Sequence, residues 1–162
     1  GITLYMLLVE RFIEKTEMEL HRKERYGREF SLIMFDIDYF KYINDKYGHN
    51  TGDLVLKEIA NVCYIILREV DIAGRIGGEE FAILLPETNI IEAEKVAERL
   101  RVAISKAKVL SSLDEEVKFA ASFGVTFTNN TNIPINELLN QADTALYKAK
   151  NSGRNKVVIY EN

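Results

Sequence analysis

The chain has 162 residues, a net charge of −4, 47% hydrophobic residues and 28% charged residues, a composition typical of one soluble globular domain with its own core. The acidic balance argues against a broad nucleic-acid footprint, so we expect no DNA or RNA partner. A single cysteine, Cys63, excludes an internal disulfide, and two histidines offer little for a zinc site.

Hydrophobic periodicity divides the chain into helices and strands. Helices are predicted where apolar residues recur every three to four positions, and strands where β-forming runs lie between turn signals. No repeat or linker interrupts the pattern, so we expect one domain over 1–162, excised from a longer protein. The predicted elements are a helix over 4–25 ending near Gly27, a strand over 30–38, helices over 39–50 and 51–70, strands over 71–76 and 79–87, a helix over 89–108, a strand over 117–128, a helix over 136–153 and a strand over 155–160.

This order of elements predicts an α+β sandwich in which helices pack on one mixed or antiparallel sheet. Gly48 is expected to stop the short second helix, and Thr51 and Asp53 are expected to cap the helix that follows. Gly77 and Gly78 lie between two strand-like runs. They predict a hairpin with a type I′ turn, because that turn needs a positive φ at both central residues.

Acidic side chains cluster at the ends of two predicted strands. Asp36 and Asp38 lie two apart, so they share a face at the end of the first strand, and Glu79 and Glu80 begin the strand after the glycines. Each acid alone is more simply explained as a solvated loop-edge charge. If the two strands are neighbours, the set favours a divalent metal site for phosphoryl transfer. Glu79 and Glu80 face opposite ways unless the strand twists at the turn.

The residues after the first strand suit a nucleotide. Lys41 would place a positive charge on phosphate, and the free N–H groups of Tyr39 and Phe40 begin a helix, which favours anions. Asn44 and Asp53 offer an amide and a carboxylate, the pair suited to the donor and acceptor edge of guanine.

Two further charged pairs have both an ordinary and a functional interpretation. Lys150 and Arg154 lie four apart at the end of the last helix, where they act either as cations on the helix dipole or as phosphate contacts. Arg68 and Asp71 form an RxxD sequence shortly before Gly77, and on chemistry alone they are an unremarkable surface pair.

Three stretches, DIDYFKYINDKYGHNTGD, RIGGEEF and ALYKAKNSGRNKV, occur in this order, and together they resemble the GGDEF family, the diguanylate cyclases. The resemblance covers about Thr3 to Tyr160. It implies a palm-like α+β fold with a five-stranded, mostly antiparallel central sheet surrounded by helices. It also implies condensation of two GTP molecules to cyclic di-GMP and two pyrophosphates, in a homodimer whose domains meet face to face.

The resemblance also implies a role for each candidate residue. It implies two Mg²⁺ or Mn²⁺ ions per half-site, a base at Glu79 that helps to deprotonate the 3′-hydroxyl, and feedback inhibition by cyclic di-GMP. The implied metal ligands are Asp36, the Ile37 carbonyl, Glu79 and Glu80; the catalytic residues are Glu79, Glu80 and Lys41; the substrate-binding residues are Asn44, Asp53, Tyr39, Phe40, Gly77, Gly78, Lys150 and Arg154; and the product-binding residues are Arg68, Asp71 and, as a secondary contact, Arg99.

The N-terminal stretch departs from the family's pattern. Members often begin with a DxLTGLxNR-like sequence, of which Thr3 and Leu4 remain here, while apolar residues replace the Asn-Arg pair. The resemblance implies a fused sensor or receiver domain and a cytoplasmic location, including the cytoplasmic part of a membrane-bound sensor. Two other functions stay open: a catalytically quiet module that binds cyclic di-GMP or GTP, and a cyclase or polymerase that uses other nucleotides.

Overall fold

Every residue of the strand Phe30–Ile37 is buried, which places this strand at the centre of the fold. A strand that is apolar on both faces must be covered on both faces. The structure is a computed structural model that describes residues 9–26, 29–129 and 133–161. Its elements are α1 (Val9–Tyr26), β1 (Phe30–Ile37), α2 (Phe40–Tyr47), α3 (His49–Ile66), β2 (Ile72–Arg75), β3 (Glu80–Pro86), α4 (Ile90–Lys106), β4 (Lys108–Leu110), β5 (Glu116–Lys118), β6 (Ala121–Thr128), α5 (Ile135–Asn151) and β7 (Val157–Ile159).

The main sheet has five strands in the order β2-β3-β1-β6-β7. β1 runs antiparallel to β3 and β6, β2 runs antiparallel to β3, and β6 and β7 are parallel. Helices α2, α3 and α4 contribute to the apolar core on one face, and α1 and α5 contribute to the core on the other. The predicted α+β fold with a mostly antiparallel five-stranded sheet is therefore confirmed.

An aromatic row fixes the register of the three central strands. The ring of Phe35 in β1 stacks on Phe81 of β3, with centroids 4.9 Å apart, and on Phe123 of β6, with centroids 4.8 Å apart. The three residues are also backbone register partners. Because the next residue along β1 is Asp36, the register of this row also determines which residues lie beside Asp36 at the end of the sheet.

Two local predictions about turns are wrong. Helix α3 begins at His49, earlier than predicted, so Thr51 lies inside the helix and donates to the Tyr47 carbonyl at 3.1 Å. Gly48, with a φ of 93°, ends α2 as predicted. The type I′ turn is absent because Gly77 and Gly78 do not have positive φ. A four-residue loop joins β2 to β3 instead.

A second, two-stranded sheet was not predicted. Strands β4 and β5 form an antiparallel hairpin, and the predicted strand over 117–128 is divided between β5 and β6. Strands of three residues are too short to show alternation, so periodicity alone cannot reveal them. The predicted helix stop at Gly27 and the family-like residues Thr3 and Leu4 lie outside the described residues. None of the described helices has the length and apolar content that crossing a bilayer requires.

Cys63 should be chemically inert while the protein is folded. It is fully buried in α3, and burial raises the pKa of its thiol to about 12, so almost no thiolate exists at neutral pH. We expect a thiol reagent such as Ellman's reagent to react at pH 8 only as fast as the protein opens. The chain has one cysteine, so urea-unfolded protein provides the one-equivalent control. Stoichiometric labelling of native protein within seconds would contradict this prediction.

Candidate active site

Asp36 and Glu80 lie side by side at the end of the sheet. They are register partners on the antiparallel strands β1 and β3, so their side chains project from the same face. The Ile37 N–H donates to the Glu79 carbonyl at 3.2 Å, which holds the loop before β3 against the end of β1. The two strands that carry the predicted acids are therefore neighbours.

The Asp36 carboxylate is buried and only half satisfied. Its residue is 5% exposed, and Oδ2 accepts a hydrogen bond and forms an ion pair with Lys150 of α5. Oδ1 is buried without a hydrogen-bond partner among the described residues. Burial raises the pKa of the Asp36 carboxyl, and Lys150 offsets part of that rise. A buried carboxylate oxygen without a partner is costly, so this atom suits a further cation.

Glu79 and Glu80 are separated by the start of β3. Glu80 is the first residue of the strand and Glu79 is in the loop, so the strict alternation of a strand does not extend to Glu79. Burial raises the pKa of the half-buried Glu80 carboxyl, and the negative charges of Asp143 and Asp36 raise it further. Asp143, an exposed residue of α5, is therefore an acidic neighbour of the site that the sequence did not indicate.

These acids do not by themselves form a ready metal cage. Within 9–26, 29–129 and 133–161, no group of three or more His, Cys, Asp or Glu side chains is arranged to hold a metal ion. Lys150 occupies one oxygen of Asp36 instead. The donor set still consists of hard oxygens, which Mg²⁺ prefers, and the unpartnered Oδ1 is the observation that fits such an ion.

Asp38 is on the same face as Asp36 but has different partners. Its carboxylate accepts from the Ser122 hydroxyl at 2.7 Å and from the Asn155 N–H at 2.9 Å. The Asn155 side chain in turn accepts from Arg101 of α4 at 3.1 Å. Asp38 therefore anchors the loop between α5 and β7 to the end of β1, a role that strand spacing alone does not reveal.

Lys150 and Arg154 are both brought to the end of β1. The Arg154 guanidinium lies over the Tyr39 ring, 4.8 Å from its centroid, in a cation–π contact. Tyr39, the residue before α2, has a φ of 57° and Arg154 has a φ of 61°, so both backbones are left-handed. Because Lys150 pairs with a buried acid, interaction with the helix dipole alone does not account for it. Lys41 is exposed on the first turn of α2.

Asn44 and Asp53 flank the corner between α2 and α3, and Gly52 determines how closely Asn44 approaches α3. A β-carbon on Gly52 would overlap the Asn44 side-chain oxygen. Gly52 therefore packs against a predicted substrate-binding residue and was not itself predicted, although a glycine inside a helical pattern is a usable signal of close packing. Within the part of the chain that the structure describes, the space at Gly77 and Gly78 is open: an added β-carbon would meet only Glu80 Cβ, at 3.7 Å from Gly77.

A protein-family model described as diguanylate cyclase, GGDEF domain, matches residues 10–156. The chain belongs to the GGDEF family. It is 46% identical over 134 residues to YhcK of Bacillus subtilis (82% of this chain, 37% of that protein) and 39% identical over 132 residues to diguanylate cyclase A of Treponema denticola (82% and 35%). The crystal structure of the GGDEF domain of DgcB from Caulobacter crescentus, in complex with c-di-GMP, matches with a TM-score of 0.92 at 30% identity (97% of this chain, 90% of that one).

Family membership confirms the resemblance found in the motifs, and it confirms the palm-like fold. The chain spans about a third of the length of these two curated relatives. Its motif residues converge at one end of the sheet, because β1, the loop before β3 and the end of α5 meet there.

In this GGDEF domain, the RxxD residues form an internal latch. Asp71 accepts from the Arg68 N–H at 2.8 Å and from Arg68 Nη2 at 2.7 Å, and its side chain is 2% exposed. Arg68 Nη2 also donates to the Pro86 carbonyl at 3.0 Å and to Thr88 Oγ1 at 2.9 Å. The pair is therefore not an ordinary surface ion pair, since Asp71 is buried. Arg99 is exposed on α4.

Proposed function

We propose that this domain is a diguanylate cyclase that condenses two GTP molecules to cyclic di-GMP and releases two pyrophosphates. The observation that carries the proposal is the buried Asp36 carboxylate, with one oxygen paired to Lys150 and the other free to take a cation. A GGDEF domain with this acidic sheet end, adjacent cations and an open space over its glycines has the groups that phosphoryl transfer between nucleotides needs.

The metal site is proposed at Asp36, the Ile37 carbonyl, Glu79 and Glu80. Two Mg²⁺ or Mn²⁺ ions per half-site, when bound, supply positive charge against the phosphates. Glu80 faces Asp36 across the register and so suits ligation, whereas Glu79 is in the loop. We therefore assign to Glu79 the additional task of accepting the 3′-hydroxyl proton.

The phosphates are proposed to lie between the start of α2 and the end of α5. The N–H groups of Tyr39 and Phe40 face an anion there, and Lys41, Lys150 and Arg154 supply positive charge, which stabilises the pentavalent transition state. The cation–π contact with Tyr39 fixes the position of the Arg154 guanidinium. Gly77 and Gly78 let the nucleotide approach the loop, since among the described residues an added β-carbon there would meet at most Glu80 Cβ.

The base is proposed to be guanine, read by Asn44 and Asp53. An amide and a carboxylate together can accept from and donate to the guanine edge, and a site built for such bonds discriminates strongly against bases that lack them. Product analysis with GTP alone, ATP alone and their mixture tests this assignment. Formation of cyclic di-AMP from ATP at a comparable rate would overturn it.

Gly52→Ala should weaken GTP binding through Asn44. The new β-carbon would displace the Asn44 amide, so we expect KM for GTP to rise about tenfold, the loss of roughly one hydrogen bond to a polar base edge. The measurement is steady-state kinetics of both single variants and of the double variant with Asn44→Ala. If Gly52 acts through Asn44, the double variant is no worse than Asn44→Ala alone. If the losses of the two single variants add up in the double variant, Gly52 does not act through Asn44.

Catalysis is proposed to need two copies of the domain, because each binds one GTP and the two reacting groups belong to different nucleotides. The decisive experiment fuses the domain to a dimerising coiled coil and measures cyclic di-GMP and pyrophosphate by chromatography with GTP and Mg²⁺. We expect one cyclic di-GMP per two pyrophosphates. An enforced dimer that binds GTP and yields no product would identify a catalytically quiet binding module instead.

Feedback inhibition is proposed at Arg68, Asp71 and Arg99. Arg68 is half exposed and can grip phosphate or guanine while Asp71 holds it in place. Arg68→Ala should abolish inhibition by added cyclic di-GMP, but it also opens the latch, so thermal stability is measured alongside. Arg99→Ala leaves the latch intact and should weaken inhibition. If both variants respond to product as the wild type does, the site is elsewhere.

The regulation and location of the domain are proposed on the same basis. The curated relatives are about three times as long as the matched region, which leaves room for a sensor or receiver domain that controls pairing of the cyclase domains. GTP is a cytoplasmic substrate and the lone cysteine suits a reducing compartment, so we propose that the domain works in the cytoplasm.

A further inference from the structure

A cleft of about 670 Å³ lies beside α2, apart from the residues assigned to metal and guanine. Its walls come from α2, the end of α4, the connection between β5 and β6, and the loop between α5 and β7. A volume of this size is typical of small-molecule sites. Of the residues proposed to bind substrate, only Tyr39 and Arg154 line it.

Four of the twelve residues that line the cleft are aromatic. Tyr42 and Tyr47 of α2 and the mostly buried Phe119 line it. Tyr42 is 58% exposed, so more than half of this side chain is accessible to a ligand. Lys46 lies 5.7 Å from the Tyr42 ring centroid and 5.1 Å from that of Tyr47. These walls suit a flat, apolar ring, because aromatic faces stack on such rings at little entropic cost.

The charge of the cleft is positive. Lys118 and Arg154 line it, and neither forms an ion pair with a residue in the described part of the chain. Glu116, the acid near Lys118, is paired with Lys108 at 2.8 Å. The one carboxylate in the wall, Asp38, already accepts from Ser122 and the Asn155 N–H. Two cations against one carboxylate give the lining a net positive charge, which favours an anionic ligand.

We propose that this cleft binds a planar aromatic ligand with one anionic group, of the size of a nucleoside monophosphate. The ring would lie against Tyr42, Tyr47 and Phe119, and the anion would face Lys118 and Arg154. Binding of this ligand does not depend on whether the domain is an active cyclase. Its effect on turnover rests on the proposed function: the ligand shares Arg154 with the triphosphate of GTP, so it should act as an inhibitor that raises KM for GTP.

Adenosine 5′-monophosphate is the probe, because adenine lacks the edge that Asn44 and Asp53 are proposed to read. Titration into the ¹⁵N-labelled domain, followed by amide NMR, should show saturable binding of one molecule per chain. We expect the largest shifts at Ser105, Phe119 and Gly153. Absence of saturable binding, or shifts centred on Asn44 and Asp53, would overturn the proposal.

Three variants test the site by charge and by position. Lys118→Glu should weaken binding at least about tenfold, as expected for loss of one charged contact. Lys57→Glu makes the same charge change on the exposed side of α3, outside the cleft, and should leave the affinity unchanged, as should Asn44→Ala. Equal weakening by Lys57→Glu and Lys118→Glu would show nonspecific attraction and contradict the assignment. None of these readouts depends on cyclase activity, so an inactive domain leaves the test valid.

Discussion

Gly124→Ala should destabilise the folded domain by about 3 kcal/mol or more, near the upper end of the cost of overpacking a core. A β-carbon at this position of β6 would overlap the Ala142 carbonyl oxygen and the Leu146 backbone nitrogen, and would lie 3.0 Å from the Ala145 carbonyl carbon. All three atoms belong to the backbone of α5, so no rotamer change can relieve the overlap. The helix must move off the sheet as a unit.

Urea unfolding followed by circular dichroism measures this effect as a change in the free energy of unfolding. The matched control is Gly78→Ala, since an added β-carbon there meets nothing within 4 Å and the backbone does not have a positive φ. We expect the control to change stability by less than about 0.5 kcal/mol while weakening GTP binding. Similar unfolding midpoints for the two variants would show that α5 does not lie on Gly124 as closely as the structure indicates.

The consequence for the site is as large as that for the fold, because α5 carries Lys150. This lysine reaches Asp36 only when the helix is seated on β6. Any folded fraction of Gly124→Ala should therefore lose cyclase activity as well. Gly78→Ala should instead keep its turnover at saturating GTP, because Lys150 keeps its position and only GTP binding is weakened.

The long elements were predictable because their patterns are long. β1 is an unbroken apolar run, and α4 and α5 repeat their apolar residues over 17 positions each. Both the continuous run and the helical repeat are therefore easy to recognise in the sequence. The three-residue strands β4 and β5 offer no such repeat. The turn before β3 was mispredicted because a pair of glycines permits positive φ without requiring it.

The site was predictable as a set of residues, but not as a set of contacts. Motif spacing indicated Asp36, Glu80, Lys150 and Arg154. It did not show that Lys150 pairs with Asp36, or that Asp38 holds the loop after α5. Such pairings join residues more than 100 positions apart, and they depend on how α5 is seated on the sheet. One sequence without its tertiary structure contains no signal for them.

Asp36→Asn should lower the rate of cyclic di-GMP formation by about 100-fold or more, as for other single groups that stabilise charge in a transition state. The amide keeps the size of the side chain but removes the negative charge that the proposed metal site needs. The measurement is initial rate at saturating GTP and Mg²⁺. Asp45→Asn, the same change at an exposed residue of α2, is the control and should retain activity. Near-normal turnover by Asp36→Asn would remove Asp36 from the proposed metal site.

The same substitution should have a pH-dependent effect on stability in the metal-free protein. Burial raises the pKa of the Asp36 carboxyl in the folded state, so the native state binds the proton more tightly than the unfolded chain does. The contribution of Asp36 to stability is therefore fully present below the pKa of the unfolded chain, and it is lost as pH rises through the higher folded pKa.

With EDTA present, wild type should lose stability relative to Asp36→Asn as pH rises from 3 towards 7, roughly the range in which carboxylates titrate. Added Mg²⁺ should then restore wild type and not the variant, because only a state that binds the ion gains from it. A difference between the two proteins that stays constant with pH and with Mg²⁺ would mean that this carboxylate neither bears a burial cost nor binds the ion.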